Sequence, residues 1–346
     1  MKKTNKTIIL TGGGTAGHVI PHIALLPHLR KHFDKIIYIG SENGIEREIA
    51  KEYNIDYISI PTVKLIRSFT PKNLLIPFKM LSSIYKSKKI LKDINPNIIF
   101  SKGGYVSVPI CLAAKDTPII MHESDMTLGL ANKIIYPKCT VLCTNFDYIK
   151  GNYKKAQYTS TPLRDFKKYS STCNLHLPKP KTILIMGGSL GSKAINNTAF
   201  EIAHDLAKDF NVIHIVGKGN IPKIALPSNY NVFEYCNNMN EIYAHTDYAV
   251  SRAGANAITE LRYLSIPMLL IPLRKGSRGD QIDNAKHFIH KGYAMGLDER
   301  ELNPTTLLKN IHNMISASDR LKYNMSKSKL PNATTTIVDL ILKHCK

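Results

Sequence analysis

A pattern that runs, stops and starts again governs how this chain can fold. Short β-branched, apolar runs recur at Thr7–Thr11, Lys35–Ile39, Tyr57–Ile60, Asn97–Phe100, Pro118–His122 and Thr140–Thr144. They return at Thr182–Met186, Val212–Val216, Asn231–Tyr235, Tyr248–Ser251 and Met268–Pro272. Many are continuously apolar, as strands covered on both faces must be. Helical stretches such as 193–208 and 255–265 lie between them. That alternation predicts parallel, doubly wound α/β sheets. A glycine turn, Gly12-Gly13-Gly14, follows the first strand. A second, Gly187-Gly188-Ser189, follows Thr182–Met186, after a polar segment Ser170–Lys181 that holds Pro178 and Pro180. The chain reads as two Rossmann-like domains joined near residues 161–180, which 346 residues can accommodate. Thr334–Lys346 reads as a closing amphipathic helix.

No stretch offers ~18 apolar residues without charge, so no transmembrane helix is expected. The apolar run Ile8–Leu10 is too short for a signal-peptide core, which places the protein in the cytosol. The six cysteines form no C-x-x-C pair, and Cys139 and Cys143 have no zinc-like partner pair downstream, so reduced thiols and no metal site are expected. Lys and Arg total 47 against 26 Asp and Glu, a net charge of +21. Such a chain is drawn to polyanions: nucleic acid, anionic lipid or phosphorylated substrates. From Lys64 to Lys92 the basic residues Lys64, Arg67, Lys72, Lys79, Lys86, Lys88, Lys89 and Lys92 occur with no acidic residue. Leu74, Leu75, Ile76, Phe78, Leu81, Ile84 and Tyr85 are interleaved with them. This composition suits an anionic membrane surface and equally an amphipathic helix packed on a sheet. Nothing resembles an RNA-binding or helix-turn-helix motif, so no nucleic acid partner is expected.

Four glycine-bearing loops follow predicted strands. Gly12, Gly14 and Gly17 formally satisfy G-x-G-x-x-G, where backbone amides and a helix N-terminus receive an anion. The others are Ser101-Lys102-Gly103-Gly104-Tyr105, Gly187–Lys193 and Ser251–Asn256. The third is not a Walker loop, since Ser192 stands where the second glycine should be. Ligands in open α/β sheets sit beyond the carboxyl ends of strands, so four such loops predict a cleft between two facing sheets. A dinucleotide dehydrogenase needs only one such domain.

In order along the chain, GGGTAGHVIP (12–21), SKGGYVSVP (101–109), HES (122–124) with GLANK (129–133), GGSLGS (187–192), SRAGANAITEL (251–261) and DQIDNA (280–285) resemble the MurG family. These are peripheral-membrane transferases that add N-acetylglucosamine to lipid I. The resemblance implies the two-domain GT-B glycosyltransferase fold, with an acceptor and membrane-binding domain over 1–162 plus a C-terminal helix at about 331–346. A UDP-sugar domain would span 163–330. It implies transfer from UDP-N-acetylglucosamine to the muramyl C4 hydroxyl of lipid I, with inversion, giving lipid II and UDP in peptidoglycan synthesis. Another GT-B enzyme acting on a lipid such as diacylglycerol is the alternative.

The same resemblance implies the site. Thr15, Ala16, Gly17, Asp125, Arg164, Ser189, Cys236, Ala255, Asn256, Glu260, Gln281 and Asn284 would meet UDP-N-acetylglucosamine. The family often has Gln where this chain has Asp280, and Asn where it has Asp125. Gly13, Gly14, Gly103, Gly104 and Tyr105 would form the acceptor diphosphate loops. His18 is the candidate general base and Glu123 its rival. Leu75, Phe78, Leu81, Tyr85, Lys86, Lys88 and Lys89 would touch the cytoplasmic face of an anionic membrane. No Asp-x-Asp pair stands at a strand end, so no obligatory metal or other cofactor is expected. Proteins of cell-wall synthesis and division are implied as partners.

Overall fold

The computed structural model describes residues 6–62, 76–151, 153–167, 169–188, 190–274 and 279–346. The chain divides into two compact units, residues 1–164 with 331–346, and residues 165–330.

The first unit holds β1 (Thr7–Thr11), β2 (Lys35–Ser41), β3 (Asp56–Ile60), β4 (Ile98–Ser101), β5 (Ile119–Glu123), β6 (Val141–Thr144) and β7 (Ala156–Tyr158). They form one sheet in the order β3-β2-β1-β4-β5-β6-β7, every pair parallel. Successive residues of β1 point to opposite faces. Ile8 and Leu10 enter a core with Leu25, Leu29 and Phe100, whereas Ile9 enters another with Ile37, Ile99 and Met121. Both faces are therefore dry, which is why the strands read as unbroken apolar runs. The helix Ala333–His344 returns from the far end of the chain to the first of these cores through Ile337, Val338 and Ile341.

The helix Ile76–Ile94 inverts the usual rule. Ser83 and Ser87 are buried, while Phe78, Leu81 and Tyr85 are 71%, 64% and 77% exposed. Small serines let it pack closely, and Ser83 Oγ donates to the Pro61 carbonyl at 2.5 Å. Met80, Ile84 and Ile90 supply its apolar contact with the core. Lys79, Lys86, Lys88, Lys89 and Lys92 are exposed. The segment is thus both a packed helix and a surface with outward apolar residues. Lys64, Arg67, Lys72, Leu74 and Leu75 lie outside the described residues.

The second unit holds β8 (Thr182–Met186), β9 (Asn211–Ile215), β10 (Tyr230–Phe233), β11 (Tyr248–Ser251), β12 (Met268–Leu270) and β13 (Ala294–Gly296). Their order is β10-β9-β8-β11-β12-β13, again all parallel. In each sheet the order reverses once, between β1 and β4 and between β8 and β11. That reversal is where open α/β sheets bind ligands.

Candidate functional site

All four glycine loops fall at these two switch points. In the first unit, Gly12–His18 leaves β1 and Lys102–Tyr105 leaves β4. The two turns touch: a Cβ on Gly104 would lie 2.6 Å from the Gly13 carbonyl oxygen, and one on Gly14 would lie 2.8 Å from the Tyr105 ring. Gly103 and Gly104 also take φ of +79° and +78°, a succession that side chains rarely tolerate. Tyr38 donates to the Gly12 carbonyl at 2.7 Å from below.

Sequence reasoning missed Glu46, on the helix Ile45–Glu52. Its fully buried carboxylate accepts from Ser41 N (3.0 Å), Ser41 Oγ (2.5 Å) and, at the longer 3.4 Å, Gly14 N. A Cβ on Gly13 would sit 2.7 Å from that carboxylate, so the glycine exists to admit it. No local signal marks a glutamate 32 residues from the loop it supports. Tyr105 also borders an open cavity of about 400 Å³ walled by Ser41, Asn43, Thr62, Lys79 and Ser82.

His18 ends a 3-10 turn, Ala16–His18, and the helix proper begins only at Ile20. Its Nδ1 lies 3.0 Å from the Thr15 hydroxyl. Glu123, 6% exposed, turns into its own loop. Its Oε1 accepts from the amides of Ser124 (2.9 Å) and Asp125 (3.1 Å), and its Oε2 from Gly129 N (2.8 Å) and Asn132 Nδ2 (3.0 Å).

Lys102, only 2% exposed, was also missed, although it stands inside a loop already singled out. Its Nζ reaches His122 Nδ1 and Ser124 Oγ, both at 2.7 Å. His122 Nε2 faces the Ser160 carbonyl at 2.9 Å, so that nitrogen carries the proton and Nδ1 accepts from the lysine. Burial, against the pull of Glu123, Asp125 and Cys143, brings the Lys102 amine down to about 7. Burial, then the nearby Lys102 charge, holds His122 well below the usual histidine range.

The second unit repeats the device. Ser251-Arg252 stands at the end of β11 as Ser101-Lys102 stands at the end of β4. Arg252, 6% exposed, turns inward too. It donates to Ser192 Oγ (2.7 Å) and the Ile271 carbonyl (3.0 Å) and pairs with Glu299. Ser192 in turn caps the helix Lys193–Glu201, so Arg252 joins the two switch-point loops. Gly254 precedes the helix Ala255–Tyr263 and makes no side-chain cap, so the helix opens on the backbone amides of its first turn, at Ala255 and Asn256.

Glu260 is buried on that helix and accepts from the Tyr243 hydroxyl at 2.9 Å. Gln281 Oε1 accepts from Leu273 N at 3.0 Å. Asn284 is fully buried and donates to the Ala253 carbonyl at 3.1 Å, so it shapes the 252–256 turn. Cys236 is buried with its sulfur 3.5 Å from that of Cys173. Arg164 is half-buried at the last position of the first unit. Ser189 lies outside the described residues. All six cysteines are free thiols, and among the described residues no three His, Cys, Asp or Glu side chains converge as a metal site.

Residues 8–143 match the glycosyltransferase family 28 N-terminal domain, and residues 182–341 its C-terminal domain. A Clostridium botulinum protein named UDP-N-acetylglucosamine–N-acetylmuramyl-(pentapeptide) pyrophosphoryl-undecaprenol N-acetylglucosamine transferase is 45% identical over 354 residues, 98% of each chain. Its namesake from Clostridium perfringens is 44% identical over 351 residues, 97% of this chain and 98% of that one. The crystal structure of Acinetobacter baumannii MurG superposes with a TM-score of 0.75 at 24% identity, covering 98% of this chain and 99% of that one. The glycotransferase of kitacinnamycin superposes at 0.77 with 14% identity, covering 99% and 100%. At these identities the superpositions speak to fold alone, and that fold is GT-B.

Proposed function

Since the chain belongs to the MurG family of UDP-N-acetylglucosamine–N-acetylmuramyl-(pentapeptide) pyrophosphoryl-undecaprenol N-acetylglucosamine transferases, we infer that it moves N-acetylglucosamine from UDP-N-acetylglucosamine to lipid I, giving lipid II and UDP. The end-to-end identity of 45% over 98% of both chains carries this reading. It concerns cell-wall peptidoglycan synthesis.

The muramyl C4 hydroxyl attacks the anomeric carbon from the face opposite UDP. The new C–O bond forms as the bond to the diphosphate oxygen breaks, inverting that carbon. The second unit holds the donor. The first-turn amides at Ala255 and Asn256 and the helix dipole behind them receive the diphosphate and stabilise its charge as it leaves. Glu260 accepts from the ribose hydroxyls, and backbone groups around Cys236 read the uracil. With its Oε1 taken by Leu273, Gln281 offers its amide NH₂ to a sugar hydroxyl. Ser189 and Arg164 add contacts to the donor.

The acceptor's proton goes to His18. In the tautomer that donates Nδ1–H to the Thr15 hydroxyl, Nε2 carries the lone pair that takes it. Glu123 already accepts four hydrogen bonds from its own loop, so its part is to shape the 122–129 loop. Ala16, Gly17 and Asp125 border the donor sugar, and Gly13, Gly14, Gly103, Gly104 and Tyr105 the acceptor diphosphate. The exposed Phe78, Leu81 and Tyr85, ringed by Lys79, Lys86, Lys88 and Lys89, dock the protein peripherally on the anionic cytoplasmic face of the membrane, where its acceptor is anchored. No described helix is long and apolar enough to cross that membrane.

The test is UDP release from UDP-N-acetylglucosamine and a lipid I analogue. His18→Ala should lower kcat about 10²–10⁴-fold with UDP affinity kept. Sugar transfer to diacylglycerol and none to the lipid I analogue would refute the assignment.

A further inference from the structure

We propose that Lys102 is a positioning residue of the transfer reaction, tying the turn after β4 to the His122–Asp125 loop and supporting the turn that carries His18. The inference rests on the reaction assigned above.

Three observations meet at this side chain. Its Nζ donates to His122 and Ser124, each at 2.7 Å, although those residues belong to a different strand and loop. Its own amide donates to the Thr11 carbonyl at 2.9 Å, and a Cβ on Gly12 would lie 3.1 Å from the Lys102 Cβ, so it abuts the start of the Gly12–His18 turn. It is nearly without solvent contact, and burying a lysine is costly unless something is gained by it. An apolar side chain of similar length would fill the space but join none of these loops. Hydrogen bonds from an ammonium are also stronger than those from a neutral amine. The hold on Ser124 therefore tightens when Lys102 is protonated.

The groups facing Lys102 are Glu123, Asp125, Cys143, His122 and His22. Burial pushes the Cys143 thiol up to about 12 and keeps both histidines neutral near pH 7. Of Lys102, Cys143, His122 and His22, Lys102 is the one that changes charge in that range.

The experiment measures kcat, KM and UDP affinity for wild type, Lys102→Met and Ser124→Ala, with a soluble lipid I analogue, from pH 6 to 8.5. Lys102→Met should lose ~10–100-fold in kcat, the scale of a small misplacement of reacting groups, with UDP affinity within about twofold. The ratio of wild-type to Lys102→Met kcat should be largest at pH 6 and shrink as Lys102 deprotonates. Ser124→Ala, which keeps the amine and cuts one tether, should lose kcat in the same sense by less. An unchanged kcat in either variant, a ratio independent of pH, or parallel loss of UDP affinity overturns the proposal. Should Lys102→Met fail to fold, Ser124→Ala decides the matter alone. Wild type that transfers no sugar refutes the reaction itself, whereas variants that transfer as well as wild type refute only the role of Lys102.

Discussion

Replacing Lys102 with Met should change how stability depends on pH, in a direction fixed by the buried charge. Burial holds the amine at about 7, against 10.5 for the free side chain. That gap corresponds to about 5 kcal/mol of penalty on the buried ammonium, at 1.36 kcal/mol per unit. Between those two values the unfolded chain binds a proton that the folded chain has released. Wild-type stability therefore rises with pH across this window, by up to about 1.4 kcal/mol per unit, and gains nothing from this residue well below it. Methionine binds no proton and lacks the slope. Its loss of the hydrogen bonds to His122 and Ser124 costs ~1–3 kcal/mol for each stranded group, an offset that pH does not alter while His122 stays neutral. Urea unfolding of both proteins, followed by circular dichroism at pH 6, 7.5 and 9, reads the difference, and subtraction cancels every titration they share. Wild type should gain about 2–3 kcal/mol on Lys102→Met between pH 6 and pH 9. A difference that stays level, or that falls, would refute the claim that a charge is buried there at a cost.

Replacing Lys86, Lys88 and Lys89 with Glu should weaken binding to anionic vesicles at least ~100-fold, at about 1 kcal/mol per lysine lost, while turnover on a soluble lipid I analogue persists. Equal loss in both assays would make the helix Ile76–Ile94 structural only. Arg252→Met takes the guanidinium from Glu299, Ser192 and the Ile271 carbonyl and should cost ~3–5 kcal/mol in urea unfolding; a cost below about 1 kcal/mol would show the pair to be idle. Turnover should survive EDTA, because the diphosphate charge is assigned to helix amides; activity restored only by Mg²⁺ or Mn²⁺ would overturn that.

Much of the fold was legible because its strands are buried on both faces, and burial writes itself as apolar runs. The two strands not foreseen, Ala156–Tyr158 and Ala294–Gly296, are three-residue strands at sheet edges, too short and too mixed in character to leave such a run. The loops of the site were legible from glycine, whose placement follows from close backbone approach. What supports those loops was not. Lysine and glutamate are ordinarily read as solvated, and only the folded chain shows Lys102 and Glu46 enclosed. Gln281 and Asn284 illustrate the same limit. Their positions followed from a motif, but their bonds to Leu273 and Ala253 depend on how the helix Asp280–His290 meets distant turns. The polar inner face of Ile76–Ile94 was hidden too, since serines at 83 and 87 look like surface residues until something packs on them.

The matched serine-plus-cation corners, Ser101-Lys102 and Ser251-Arg252, differ in one chemical respect with a lasting consequence. A guanidinium keeps its proton under any condition a cell meets, whereas an enclosed amine surrenders its own near neutrality. The corner at the end of β11 is thereby wired to a fixed voltage, and the corner at the end of β4 to an adjustable one. Acidification of the surrounding fluid would be felt at the lysine corner and not at its arginine counterpart.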